Sequence, residues 1–391
     1  MTDATTMAPA PLRAGGQTPG ALRRKLWQCA VGAALALLVI ASGFILRDNL
    51  QRLGLTVGFD FLQRPAGFQI GVSLLPYAPT DSIAYAILTG ALNTVMLVVL
   101  AGVCATVLGV AIGLARRSVN PLVRGLTLGY VELLRNTPLL MQILLWSAVL
   151  LKLPPAAKAL QWGGLTLSQR GIYFPSLHLV AGQGMALAAC VAAALAAALA
   201  ARAGLRRLRP GAGRALWMGG AAAAGLAVLA SCCAALGVFE VSVPVRRGFN
   251  FQGGASLSPE FAAMLIALTL YFAAFIAEIV RNGVDSVARG QWEASQALGL
   301  SGPTTMREVV FPQALRMMAP ALIAQYVSLI KNSSLAIAIG YPDLFWSVFT
   351  TINITGHAIE GVLLLAGAYL VLTLGTSWAL NLWYARLRRK G

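Results

Sequence analysis

The chain has 391 residues, of which 58% are hydrophobic and only 11% are charged, and its formal net charge is +17. Because soluble domains usually contain about 25% charged residues, this composition excludes an ordinary soluble globular protein. The excess of Lys and Arg does not indicate nucleic-acid binding, since these residues flank apolar runs, as they do at the cytoplasmic ends of membrane spans. We therefore predict an all-α polytopic membrane protein.

Residues 1–25 are predicted to form a disordered cytoplasmic tail, because the first 20 are rich in Ala, Pro, Gly and Thr. The first apolar run is longer than the hydrophobic region of a typical cleavable signal and is interpreted as a retained span. Apolar runs long enough to cross a bilayer predict about eight transmembrane helices. Their predicted ranges are 26–46, 87–114, 127–151, 178–201, 215–238, 260–280, 318–340 and 361–384.

The distribution of positive charges predicts the topology. Twenty of the thirty Lys and Arg residues fall in segments assigned to the cytoplasm, and eight fall in segments assigned to the outside. Because cytoplasmic loops retain Lys and Arg, both termini are predicted to be cytoplasmic, with a basic tail over 385–391. The range 26–86 then holds the first span and a periplasmic segment. The outside segments 47–86 and 152–177 are expected to be packed loops or short interfacial helices.

The same topology places the polar loop 281–317 in the cytoplasm. Good helix formers predict a short helix over 291–298, and Gly299 stands where a left-handed residue would end it. Ser301 is predicted to cap a second helix, which Pro312 would stop. From these residues alone, an ordinary capped connector between two spans remains an equally good interpretation.

The loop has a recognisable spacing. Glu293, Ala294 and Ser295 are followed by Gly299 and then by Pro312. This pattern resembles the EAA loop of type-1 permeases of ATP-binding-cassette (ABC) importers, with Ser295 in place of the second Ala. The segments 130–140, 277–281 and 330–335 are similar to those of polar-amino-acid permeases. The resemblance extends over about 88–384, and the length is similar to permeases of general L-amino-acid systems.

The resemblance implies a type-1 ABC importer permease fold over 87–384, with an insert at about 152–258 that carries two extra helices. It implies a non-enzymatic permease subunit that translocates polar or general L-amino acids across the bacterial inner membrane. The loop would be seated on a separate ATPase. The implied partners are an ABC ATPase dimer, a second permease subunit (forming a heterodimer), a periplasmic amino-acid-binding protein, the amino acid substrate and membrane lipid.

No cofactor is expected on this chain, and the resemblance assigns ATP and Mg²⁺ to the partner ATPase. The sequence agrees, because no Lys follows a Gly anywhere, so a phosphate-cradling loop of the G-x-x-x-x-G-K-[ST] kind is missing. The His and Cys residues lack metal-ligand spacing, so no metal site is predicted. The alternative class is a secondary amino acid transporter driven by an ion gradient.

Polar residues in or beside predicted spans are candidates for the translocation pathway or for the scaffold, because charges in a bilayer are costly. Two pairs have the three-residue spacing of local helical pairs, Glu278 with Arg281 and Glu132 with Arg135. Arg135 has a second interpretation, since a guanidinium can hold a substrate carboxylate in two hydrogen bonds. The full set of candidates is Glu132, Arg135, Asn136, Thr137, Glu278, Lys331 and Asn332.

Overall fold

A computed structural model describes residues 19–52, 58–180, 183–208, 214–248 and 250–389. Within these residues, seven helices are long and apolar enough to cross a membrane, or eight if one bent pair counts as a span, which confirms the predicted number. The helices are α1 Pro19–Arg52, α2 Ile83–Ala115, α3 Pro121–Asn136, α4 Leu139–Leu151, α5 Gly184–Leu208, α6 Arg214–Ala235, α7 Pro259–Asp285, α8 Arg289–Ala297, α9 Gly302–Thr304, α10 Phe311–Ser333, α11 Leu344–Thr355 and α12 Ala358–Arg389.

The chain divides into two compact units, residues 1–61 and 62–391. The first unit contains α1, whose segment Leu26–Ile45 has the length and hydropathy of a membrane span. Because α1 begins at Pro19, residues 19–25 of the predicted disordered tail are helical. The rest of that tail, together with residues 390–391 of the basic C-terminal tail, lies outside the described residues.

In the second unit, α2 and α7 pack closely along a line of small residues. Gly109 and Gly113 of α2 face Ala273 and Ala277 of α7, and a Cβ atom built on Gly113 would lie 2.7 Å from the Ala277 carbonyl oxygen. Small residues four apart let two membrane helices approach until their backbones touch. The main core cluster includes Leu97 and Ala101 of α2 and Phe272 and Ile276 of α7, and α4 and α10 also pack against α7.

The predicted span over 127–151 is not a single helix, because the chain bends by 105° between α3 and α4. Pro138 lacks an N–H group and disfavours a helical conformation for the residue before it. Thr137 is accordingly extended, with φ −101° and ψ 135°. The Gln142 amide then donates to the Leu134 carbonyl at 3.0 Å and to the Thr137 hydroxyl at 2.7 Å, which satisfies acceptors exposed by the break.

The prediction that Pro312 ends the second helix of the loop is wrong. Helical structure continues from α9 through a π-helical turn, Thr305–Val310, into α10. In this turn the Phe311 N–H bonds to the Met306 carbonyl, five residues earlier. Pro312 is the second residue of α10, so its ring, which would clash with the carbonyl four residues earlier in a regular α-helix, directly follows this wider π-helical turn. The C-terminal half of the loop is thus an extension of a membrane helix.

The predicted helical membrane fold is confirmed. The insert also contains short strands, in place of the packed loops or short interfacial helices expected over 152–177. They are β1 Leu160–Trp162, β2 Leu165–Ser168, β3 Gly171–Phe174, β4 Ser176–Leu179, β5 Phe239–Ser242, β6 Val245–Arg247, β7 Asn250–Gln252 and β8 Ala255–Leu257. Four form the antiparallel sheet β1-β2-β3-β8, and β4 pairs with β5. The segments on either side of the α5–α6 hairpin are therefore joined by backbone hydrogen bonds.

We predict that Gly113→Ala destabilises the protein by about 1–3 kcal/mol, because the added methyl group would force α2 and α7 apart. The measurement is thermal unfolding of the purified chain in detergent. Gly125→Ala on α3 is the matched control, since its Cβ would meet no atom within 4 Å. Equal midpoints for both variants would show that α2 and α7 do not depend on this close approach.

Candidate functional site

Helix α8 ends in a rigid cap. Gly299 has φ +72°, its N–H donates to the Gln296 carbonyl at 2.9 Å, and the Leu300 N–H donates to the Ser295 carbonyl at 3.0 Å. These two bonds form a Schellman motif, which requires a left-handed residue and strongly favours glycine. The short helix and its left-handed glycine agree with the sequence-based prediction.

One face of α8 is anchored to the body of the protein. Trp292 is half-buried and packs against the main core cluster. Ser295 is only 2% exposed, and its hydroxyl donates to the Gln291 carbonyl at 2.7 Å. The Gln291 side chain also accepts a hydrogen bond of 3.0 Å from Gln313 of α10. The predicted loop residue Ser295 is therefore buried on the inner face of α8, with its hydroxyl bonded within its own helix.

The opposite face of α8 is open. Glu293, Ala294 and Ala297 are exposed, and Leu298, just beyond the helix, is 78% exposed. Leu298 is thus a large exposed apolar side chain beside two small residues, Ala294 and Ala297. Helix α8 is therefore packed against the protein on its inner face and exposed on its outer face.

An ion-pair cluster beside α8 centres on Glu278 of α7. The Glu278 carboxylate accepts hydrogen bonds from Arg116, at the end of α2, and from Arg281, the latter at 2.6 Å. Arg135 of α3 approaches the same carboxylate at 3.9 Å, and its guanidinium lies 5.3 Å from the centre of the Phe275 ring. One carboxylate thus joins three helices. The predicted Glu278–Arg281 pair is present, but it is part of a larger group.

A second carboxylate extends this cluster to α8. Asp285 binds Arg117 at 2.9 Å and Arg281 at 3.2 Å. The Arg117 guanidinium lies 5.2 Å from the centre of the Trp292 ring, a distance at which a cation and an aromatic face attract each other. A continuous path of contacts therefore runs from the ends of α2 and α7 to the anchored face of α8.

The other predicted polar residues are dispersed. The expected Glu132–Arg135 pair is wrong, because Arg135 turns toward Glu278, while Glu132 accepts a hydrogen bond of 3.2 Å from Asn136. Both Glu132 and Asn136 are exposed on α3. The Thr137 hydroxyl donates to the Leu133 carbonyl at 2.9 Å, within the helix break.

Lys331 and Asn332 lie near the end of α10, away from the ion-pair cluster. Lys331 is exposed and borders a cavity of about 310 Å³ with Phe345 and Tyr369. The Asn332 amide donates to the Ser328 carbonyl at 2.9 Å within its own helix. Neither residue contributes to α8 or its anchoring contacts.

Four residues important to the site were missed from sequence: Arg116, Arg117, Asp285 and Trp292. In the sequence, the two arginines resemble the topological charges that flank membrane spans. Their partners lie more than 160 residues away in the chain, beyond the reach of helical spacing rules. For Asp285, the four-residue spacing from Arg281 was a usable signal.

Comparison with known proteins assigns the family. Residues 105–389 match the family described as the inner membrane component of binding-protein-dependent transport systems. The chain is 42% identical over 345 residues to the putative amino-acid ABC transporter permease protein YhdX of Escherichia coli (strain K12), covering 87% of each chain.

Two further relatives are similar over nearly their whole length. The general L-amino acid transport system permease protein AapQ of Rhizobium johnstonii is 39% identical over 350 residues, covering 87% of this chain and 86% of the relative. The glutamate/glutamine/aspartate/asparagine transport system permease protein BztB of Rhodobacter capsulatus is 37% identical over 380 residues, covering 88% of each.

The chain therefore belongs to the family of inner-membrane permease components of binding-protein-dependent transport systems. It is a multi-pass inner-membrane protein. This result confirms the family that the loop and its flanking segments indicated.

We predict that Glu278→Gln destabilises the protein by about 1.5–3 kcal/mol, because it removes the charged acceptor of Arg116 and Arg281. The Arg116 side chain is only 10% exposed, so water cannot readily replace the lost carboxylate. Thermal unfolding in detergent measures the effect.

The control for this variant is Glu308→Gln, which breaks a pair with Arg307 whose side chains are 63% and 85% exposed. Such exposed pairs contribute about 0–1 kcal/mol. If Glu278→Gln were as mild as Glu308→Gln, the Glu278 cluster would not be a structural centre.

Proposed function

We propose that this chain is the permease subunit of an ATP-driven importer of L-amino acids and that it is driven by a separate ATPase through α8. The observation that carries the coupling proposal is the two-sided character of α8. Its inner face is fixed by Trp292 and Ser295, and its outer face exposes Ala294, Ala297 and Leu298. A partner that moves this ridge must move the helices behind it.

The contacts behind α8 support this mechanism. Trp292 of α8 contacts the Arg117 guanidinium, and Arg117 forms an ion pair with Asp285 at the end of α7. A displacement of α8 would therefore move the end of α7. Glu278 connects that end of α7 to α2 and α3. Rigid-body movement of helices around a central pathway is the usual form of alternating access. ATP binding and hydrolysis, with Mg²⁺, belong to the ATPase chains in this proposal, and this chain has no catalytic role.

The substrate proposal rests on the relatives, whose names describe amino-acid transport, one of them as a general L-amino acid system. By analogy, we propose that this chain translocates L-amino acids and that its specificity is either for polar amino acids or broad. The assembly would contain an ATPase dimer, a periplasmic amino-acid-binding protein and a different permease as the second membrane subunit. Both termini and α8 would face the cytoplasm, in keeping with the charge distribution.

We predict that Gly299→Asp uncouples transport while the protein still inserts in the membrane. The substitution places a side chain and a negative charge on a left-handed turn beside the exposed face of α8. We expect amino acid uptake to fall roughly tenfold, which corresponds to the loss of a coupling free energy of typical size between α8 and the ATPase. The measurements are uptake of labelled L-amino acids by cells and the amount of the chain in isolated membranes.

Gly356→Asp provides a matched control. Gly356 also ends a helix, α11, with φ +77° and open space around the position of a Cβ atom. It carries the same backbone strain but lies outside the loop 281–317. We expect near-normal uptake from this variant. Unchanged uptake by Gly299→Asp would contradict the coupling role of α8.

A further inference from the structure

A cavity of about 410 Å³ opens at the end of α7 that is remote from α8. It lies between the insert and the helical core, bounded by the β2–β3 turn, by β7, by the end of α4 and by the start of α7. Glu260 at this cavity is eighteen residues from Glu278, or about 27 Å along the helix. The cavity is therefore distinct from the coupling region.

Two opposite charges line this cavity. Arg170 is exposed on the β2–β3 turn, and Glu260 is half-buried in the first turn of α7. Among the residues that the structure describes, neither side chain forms an ion pair, with the other or with a third residue. A carboxylate in the first turn is favourable for the helix dipole. The helix dipole of α7 therefore explains the position of Glu260, but it does not explain why the unpaired Arg170 lines the same cavity.

The cavity wall beside Arg170 is ordered by a buried tyrosine. The Tyr173 hydroxyl donates to the Asn250 side chain at 3.0 Å, and its ring lies 4.7 Å from that of Phe251. Burial raises the pKa of the Tyr173 phenol, an effect that the positive charge of Arg170 opposes. These contacts hold β3 against β7, so the backbone that carries Arg170 is joined to both halves of the insert.

We propose that this cavity binds a free amino acid through its zwitterionic head group, with the carboxylate on Arg170 and the ammonium group on Glu260. A guanidinium suits a carboxylate because it can donate two parallel hydrogen bonds. The volume lies within the range of small-molecule sites, roughly 300–1,000 Å³. This inference rests on the proposed function, and it gives the insert a role in receiving substrate on the face opposite α8.

The test uses the purified full chain in detergent, without ATPase or binding protein, and saturation-transfer difference NMR. Three probes separate the two charges: L-alanine, N-acetyl-L-alanine, which lacks the ammonium group, and L-alaninamide, which lacks the carboxylate. We expect binding of L-alanine and roughly tenfold weaker binding of each blocked analogue, as expected when one charged hydrogen-bond partner is lost.

The variants follow the same logic. Arg170→Gln and Glu260→Gln should each weaken L-alanine binding roughly tenfold. The exchange Arg170→Glu with Glu260→Arg should recover binding, because the zwitterion can bind in the reverse direction. Lys158→Gln and Glu240→Gln are the matched controls, since both side chains are exposed in the insert but do not line the cavity. They should leave L-alanine binding unchanged.

The proposal is overturned if the three probes bind equally or if Arg170→Gln and Glu260→Gln bind L-alanine normally. It is also overturned if these variants impair only the response of the assembled transporter to its binding protein, which would assign the two charges to a protein contact. A different outcome would reject the proposed function while leaving the cavity proposal intact. L-alanine binding combined with normal uptake by Gly299→Asp would retain the cavity and reject the coupling proposal.

Discussion

The Glu278 carboxylate joins α2, α3 and α7 at one end of the helical core. It lies against three guanidinium groups, those of Arg116, Arg135 and Arg281, and is only 19% exposed. Removing such a charge from water is costly unless its hydrogen-bonding capacity is filled, so the surrounding arginines must keep their positions. The close glycine–alanine contact of α2 with α7 brings Arg116 within reach. Packing and charge therefore depend on each other.

This arrangement explains how a nine-residue helix can act mechanically. Alone, α8 is too short to be stable in water. The Schellman cap ends α8, and the Trp292–Arg117 contact and the Arg117–Asp285 ion pair connect α8 to the ends of α2 and α7. The π-helical turn before Pro312 makes the other side of the loop continuous with α10. In the proposed coupling mechanism, a force on the exposed face would be transmitted on both sides of the loop.

Much of this architecture could be predicted from sequence, because apolar length and capping chemistry are local properties. The spans and the turn at Gly299 are of this kind. The bend at Pro138 is not evident from sequence, because the apolar run that contains it is long enough to be a single span. The π-helical turn is not evident either, because a proline such as Pro312 is compatible with the end of one helix and with the start of another. The ion-pair cluster depends on Arg116 meeting Glu278 across 162 positions. The strands of the insert have only three or four residues, too few for an alternating pattern.

The central claim, that an ATPase binds the outer face of α8, is tested most directly by site-specific crosslinking. Leu298→Cys and Ser295→Cys would be made in a background lacking the five native cysteines, and each would be treated with a short thiol crosslinker in membranes containing the ATPase. Leu298 is 78% exposed and Ser295 only 2%, so a crosslink to the ATPase is expected from position 298 and not from position 295. No crosslink from position 298, or equal crosslinking from both, would contradict the account.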